Sequence, residues 1–223
     1  MTAVRSLRIA VIGAGHMGRL HASKLAALRS ADAGATLAGV ADLDAARAEA
    51  VGREFGAAAV TDFRELLPHA DAAIVAVPTV AHFAVVSELL AAGLDVLIEK
   101  PIAATLAEAE TLLAQAQRGG RVVQVGHLEW FNAALRSMAP VIRRPRFVEA
   151  HRMGPYPGRA TDVDIVRDLM IHDIDIVQRL VGEEPESVEG IGVPVLSTQV
   201  DIANARLRFP GGCVANFTAS RVS

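Results

Sequence analysis

Short aliphatic runs alternate with amphipathic stretches through the first half of the chain. The runs at 7–12, 36–41, 72–77, 96–99 and 122–126 read as strands. Between them, apolar residues recur at helical spacing over 16–29, 44–55, 80–92 and 105–117. A weaker strand at 58–61 precedes a short helix at 63–67. Such alternation predicts a parallel sheet with helices on both faces.

After Gly126 the pattern changes. A helical piece at 131–140 and a strand at 146–152 lead into the Gly/Pro loop "MGPYPGRATDVD". A helix carrying "RDLMIHDIDIV" follows, then strands at 187–195, 201–209 and 213–220. "FPGGCV" between the last two is expected to be a hairpin turn. The chain therefore reads as an α/β protein of two domains. Residues 1–124 form a doubly wound Rossmann domain, and 125–223 an α+β domain with an open antiparallel sheet. The last residue, Ser223, directly follows a strand, so the second domain is expected to be incomplete.

Bulk properties exclude several classes. With 223 residues, 52% of them hydrophobic, the chain can bury a substantial core. A net charge of −3 gives no general footprint for nucleic acid. One cysteine, Cys213, rules out an internal disulfide or a Cys-based zinc site and fits a reducing cytoplasm. No run approaches the ~18 apolar residues of a membrane span. The apolar N-terminal run passes straight into a glycine motif, as a first strand does and a signal peptide does not.

That motif is Gly13-Ala14-Gly15-His16-Met17-Gly18, placed between a strand and a helix. In that setting Gly13 permits the tight turn, and Gly15 lets a pyrophosphate approach the backbone at the helix N-terminus. Gly18 allows close packing of helix on strand. Asp42 ends the second strand, where a carboxylate accepts hydrogen bonds from the ribose hydroxyls of NAD. Leu43 offers no cation for a 2′-phosphate, so NAD is expected over NADP.

Ligands of doubly wound sheets sit at the carboxyl ends of the strands. Three such ends carry unusual residues: Pro78, Thr79 and His82; Glu99, Lys100 and Pro101; and Gly126, His127 and Asn132. The glycine-motif residues with Asp42, Pro78, Thr79, His82, Glu99 and Lys100 are the expected cofactor set. A proline after Lys100 restricts its backbone to extended geometry, fixing where its side chain starts. By itself that lysine reads as one that snorkels beside Glu99.

In "RDLMIHDIDIV" an apolar stripe of Val166, Leu169, Met170, Ile174, Val177, Leu180 and Val181 faces one way. Asp168, His172, Asp175 and Arg179 share another face. Asp168 and His172 lie one turn apart, so the carboxylate can orient the imidazole as a general base. Asp173 and Asp175 are expected to be structural. A structural ion-pair network stays open for the whole helix, and one histidine among scattered acids is a weak metal signature. No metal site is expected.

"GAGHMGRLHASKL", "EKP", "GHLEWFN" and "DLMIHDID", in this order, resemble the Gfo/Idh/MocA oxidoreductase family over essentially the whole chain. The likeness runs toward its nucleotide-sugar dehydrogenases, of the UDP-N-acetylglucosamine 3-dehydrogenase type. It implies NAD-dependent oxidation of a sugar hydroxyl to a ketone, on a lipid A precursor route with a partner aminotransferase. It assigns His172 as acid–base group, Asp168 as its aid, and Lys100 to the reacting hydroxyl. His127 and Asn132 are expected beside the substrate. Arg152, Tyr156 and Arg159, in the loop before the helix, are expected near a diphosphate or uracil. It also implies further strands beyond Ser223 and a homo-oligomer, dimer or tetramer, when full length. Rival readings are a dehydrogenase of inositol, glucose or another sugar, and a non-catalytic NAD(H)-binding sensor. The Lys100, Asp168 and His172 set argues against the sensor, which needs no base.

Overall fold

The computed structural model describes residues 6–30, 34–156 and 163–223. The chain divides into two compact units, Met1–Gly126 and His127–Ser223.

The first unit holds β1 (Leu7–Ile12), α1 (His16–Ser30), β2 (Ala35–Ala41), α2 (Ala45–Phe55), β3 (Ala58–Val60) and a 3₁₀ segment, Phe63–His69. It continues with β4 (Ala72–Val75), α3 (Thr79–Ala91), β5 (Asp95–Ile98), α4 (Leu106–Gly119) and β6 (Val123–Val125). The six strands are parallel in the order β3-β2-β1-β4-β5-β6. This is the Rossmann order, and the strand sequence reverses between β1 and β4.

Side chains that alternate along each strand enter opposite cores. Ala10 and Ile12 of β1 pack with Val75, Val96 and Ile98 beneath Val86, Leu89 and Leu90 of α3 and Leu112 of α4. Val11 points the other way, to Val40, Ile74, Ala22 and Leu25 of α1 and Val51 of α2. Both faces of the sheet are thus covered, which explains why its strands read as continuous aliphatic runs. Local signals set the helix starts: Asp44 accepts the Arg47 amide, and Thr105 and Glu108 form a reciprocal capping box at α4.

The second unit holds a 3₁₀ turn, Leu128–Phe131, then α5 (Ala133–Met138) and β7 (Phe147–Met153). A π-helical turn, Val166–Met170, runs into α6 (Ile171–Val181), and β8 (Ser187–Val193), β9 (Ile202–Arg208) and β10 (Val214–Ser220) follow. The expected single helix at 131–140 is therefore two short pieces, with Asn132 between them. The four-stranded sheet runs β7-β10-β9-β8.

That sheet corrects the expectation of an antiparallel one. β8, β9 and β10 are antiparallel neighbours, but β7 pairs with β10 in parallel. The reason is topological. A helix returns the chain between β7 and β8, so both run the same way, and β10 repeats the direction of β8 after two reversals. The "FPGGCV" turn between β9 and β10 closes as a hairpin, with the Phe209 amide donating to Cys213 O at 3.0 Å. Ile165, Met170 and Val177 pack onto Ala203, Leu207, Ala215, Phe217 and Ala219 of the sheet. Beyond the sheet end, buried Arg221 donates to Asp201 Oδ1 at 2.8 Å. The other Asp201 oxygen accepts the amides of Val195, Leu196 and Ser197.

Candidate active site

The glycine loop sits at the carboxyl end of β1, at the switch point. Gly13 takes φ 96°, and a Cβ there would lie 2.5 Å from Ala76 O. A Cβ on Gly18 would lie 1.7 Å from Gly13 O, so α1 packs directly on the turn. Gly15 differs: a Cβ there would meet no heavy atom within 4 Å. Its missing side chain leaves open space rather than allowing protein packing.

The loop borders a cleft of about 750 Å³, within the range of small-molecule sites. Gly13, Gly15, His16, Met17, Asp42, Leu43, Val77 and Pro78 line it. Asp42 Oδ2 accepts the Ala14 amide at 2.7 Å and Oδ1 the Asp44 amide at 2.9 Å. Each carboxylate oxygen retains a second lone pair for a ribose hydroxyl. The open space at Gly15, the helix N-terminus and Asp42 together fit a dinucleotide.

Three details here were invisible in sequence. Arg47 also lines the cleft, with Nε 3.9 Å from Asp42 and a hydrogen bond to Asp44 at 3.1 Å. A cation is thus present after all, supplied by the first turn of α2 rather than by the residue after Asp42. The hydrogen bonds from Arg47 hold the Asp44 carboxyl below the usual carboxylate range. Phe63 and Thr61, from a segment with a weak strand signal, complete the wall.

At the end of β5, Glu99 is buried, and its Oε1 lies 2.6 Å from Nε2 of His21 on α1. Lys100 follows, half-buried, and the Lys100–Pro101 bond is cis. Glu99 thus has a histidine partner 78 residues away in the chain.

His82 corrects the expected cofactor set. It is 1% exposed, with Nδ1 2.9 Å from Pro101 O and Nε2 3.0 Å from Val77 O. Carbonyl oxygens only accept, so a ring nitrogen that bonds one of them is the donor. The ring ties two loops to each other and is not among the residues lining the cleft. Thr79 is likewise buried in the first turn of α3.

In the second unit, Asp168 lies in the π-helical turn and His172 in the first turn of α6. π turns inserted in helices recur at functional sites. Asp173 and Asp175, expected to be structural, each form an ion pair. Asp173 takes a bidentate grip from Arg152, at 2.8 Å to Nη2 and 3.1 Å to Nε. Asp175 pairs with Arg179 at 2.9 Å, and Arg179 lies over the Trp130 ring.

Arg152 also departs from expectation. It belongs to β7 rather than to the loop, and its guanidinium is committed to Asp173, with Glu129 3.5 Å away. The Asp173 hydrogen bond holds that guanidinium above its ordinary pKa. Asn132 caps α5 by accepting the Ala134 amide at 2.9 Å. His127 precedes the 3₁₀ turn, and its buried Nδ1 has no hydrogen-bond partner among the described residues. Tyr156 is half-buried in an irregular segment, and Arg159 lies outside the described residues.

Comparison with known proteins decides the family. Residues 7–127 match the model of the Gfo/Idh/MocA oxidoreductase family, NAD-binding Rossmann fold, and 139–223 match a Gfo/Idh/MocA C-terminal domain. The chain belongs to the Gfo/Idh/MocA family. The first unit is its NAD-binding Rossmann domain.

Among relatives in the family, UDP-N-acetylglucosamine 3-dehydrogenase of Acidithiobacillus ferrooxidans is 39% identical over 97% of this chain and 67% of its own length. The solved structure of that enzyme superposes with a TM-score of 0.90 at 38% identity, over 98% of this chain and 71% of the other. Inositol 2-dehydrogenase of an Arthrobacter species is 33% identical over 82% of this chain and 57% of its own. The chain thus spans between about half and three quarters of the length of these relatives. Among the described residues, no helix is long and apolar enough to cross a membrane.

Proposed function

We propose that this protein oxidises a hydroxyl of a nucleotide sugar to a ketone, the 3-hydroxyl of UDP-N-acetylglucosamine in the first place. The observation that carries the substrate class is the 39% identity, over nearly the whole chain, to an enzyme of that name. NAD, when bound, supplies the two-electron acceptor. The turn at Gly13–Gly18 would hold its pyrophosphate through backbone amides, and Asp42 its ribose hydroxyls.

The chain's own groups supply the rest. An alcohol gives up its proton reluctantly, so its oxidation needs a base near neutral pH, and His172 is the group of that kind on α6. Asp168 orients the imidazole. Lys100 places a cation where negative charge develops on the reacting oxygen. The half-buried position of Lys100 at a strand end supports this, because charge is worth more where water is scarce. A partner aminotransferase that consumes the ketone, a homo-oligomeric assembly and a cytoplasmic setting belong to the same reading.

The test is direct. Purified protein with NAD is offered UDP-N-acetylglucosamine, myo-inositol and glucose, and NADH absorbance is followed. Turnover of the nucleotide sugar at a kcat/KM at least tenfold above the others is the expected result. Preference for inositol would move the protein to the cyclitol dehydrogenases, which its 33% identity to one of them makes the specific alternative. Tight NAD binding without turnover of any of them would favour the sensor.

A further inference from the structure

Lys100 stands between two residues that are each gripped by a histidine from a different helix. On one side, the Glu99 carboxylate meets His21 of α1 at 2.6 Å. On the other, the Pro101 carbonyl meets His82 of α3 at 2.9 Å. The second nitrogen of His82 reaches Val77 O at 3.0 Å, in the loop that borders the dinucleotide cleft.

Neither histidine is placed to meet a ligand. His82 is 1% exposed, the His21 side chain 12%, and the Glu99 side chain 11%. Neither lines the cleft. Burying a carboxylate and two imidazoles on either side of one lysine costs desolvation that plain packing residues would avoid. The contacts also arrive from residues 78 and 19 positions away, so they fasten the turn to both helices that flank it. The turn is tied to the sheet as well, through the Glu99 amide to Val75 O and the Gly126 amide to Ile98 O.

We propose that His21 and His82 are positioning residues for Lys100, which hold the turn on either side of it so that the ammonium is delivered to one place. This rests on the reading of Lys100 as the group that meets the reacting oxygen. Catalytic groups lose about a hundredfold in rate when misplaced by ~1 Å, so such a frame has kinetic value out of proportion to its effect on stability.

The chain offers an unusually clean readout, because it holds two lysines, Lys24 and Lys100. Lys24 is exposed on α1 and serves as an internal reference. The whole chain and its His21→Ala, His21→Gln and His82→Leu variants are labelled with limiting acetic anhydride, and the Lys100/Lys24 ratio is read by mass spectrometry. NAD affinity is measured by calorimetry and turnover with UDP-N-acetylglucosamine in parallel. Expected are a change of about threefold or more in the ratio for His21→Ala and His82→Leu, and a fall in kcat of about tenfold or more. NAD affinity should stay within about twofold. His21→Gln, which keeps a donor for Glu99, should recover most of both quantities.

Folded His21→Ala with the wild-type ratio overturns the proposal, whatever happens to stability. Should His82→Leu fail to fold, the His21 pair of variants still decides. If the wild-type protein turns over no nucleotide sugar, the reading of the reaction falls, and the labelling ratio decides the positioning role alone.

Discussion

Gly15 and Gly18 belong to one motif, yet alanine at each should do opposite things. At Gly18 the new methyl would lie 1.7 Å from Gly13 O, where real contacts essentially never fall below 3.0 Å. Helix and turn must therefore part by about 1.3 Å or more. Overpacking of this kind costs ~1–3 kcal/mol. For a chain of this size that lowers Tm by roughly 2–12 °C. At Gly15 the methyl meets nothing within 4 Å, and the residue is not in a left-handed conformation. Alanine there trims the freedom of the unfolded chain and should stabilise by ~0.4–1 kcal/mol, about 1–4 °C in Tm.

Ligand affinity should invert that order of benefit. If a pyrophosphate occupies the space over Gly15, the methyl blocks its approach to the loop amides. Loss of one hydrogen bond to a charged group costs ~1.5–3 kcal/mol, so Kd for NAD should rise about ten- to a hundredfold. Thermal melts with and without NAD, with calorimetry for Kd, read both quantities. A Gly15→Ala protein that melts no lower than wild type but loses NAD is the expected result. Wild-type affinity in that variant would remove the glycine loop from the pyrophosphate site, and a clear loss of stability would refute the claim of open space.

Two further outcomes are expected. His172→Ala should lower kcat by about 10²–10⁴ while NAD binds as before, and unchanged turnover would remove His172 from the mechanism. Burial pushes the Asp201 carboxyl up, but the Ser197 hydroxyl, the Ser197 and Val195 amides and Arg221 pull it further down, far below the usual carboxylate range. A depressed carboxyl stabilises the fold above its unfolded value near pH 4 and loses that contribution as pH falls toward the folded one. Asp201→Asn should therefore melt lower at pH 7, with the gap to wild type narrowing as the pH drops below ~4. A gap independent of pH would exclude that ionisation as the source of the clamp's strength.

The alternation of strand and helix in the first unit could be read directly, because β1, β2, β4 and β5 carry apolar residues to both cores and α2 and α4 start at local caps. The glycine motif, the strand-end place of Asp42 and the Asp175–Arg179 pair could be read for the same reason. They depend on strand ends, helix faces and neighbours a few positions away. What only the tertiary structure decided are partners set by chain closure. β7 pairs in parallel because a helix returns the chain, Arg152 is spent on Asp173 across 21 positions, and Arg47 reaches the cleft from the far side of a turn. His82 looked like a ligand residue because it follows a strand end, and nothing near His21 in the sequence marked a partner for it. Their contacts with Glu99 and Pro101, on either side of Lys100, depend on two helices folding back onto one turn. No local pattern encodes which buried carbonyl or carboxylate an imidazole will face once the sheet has formed.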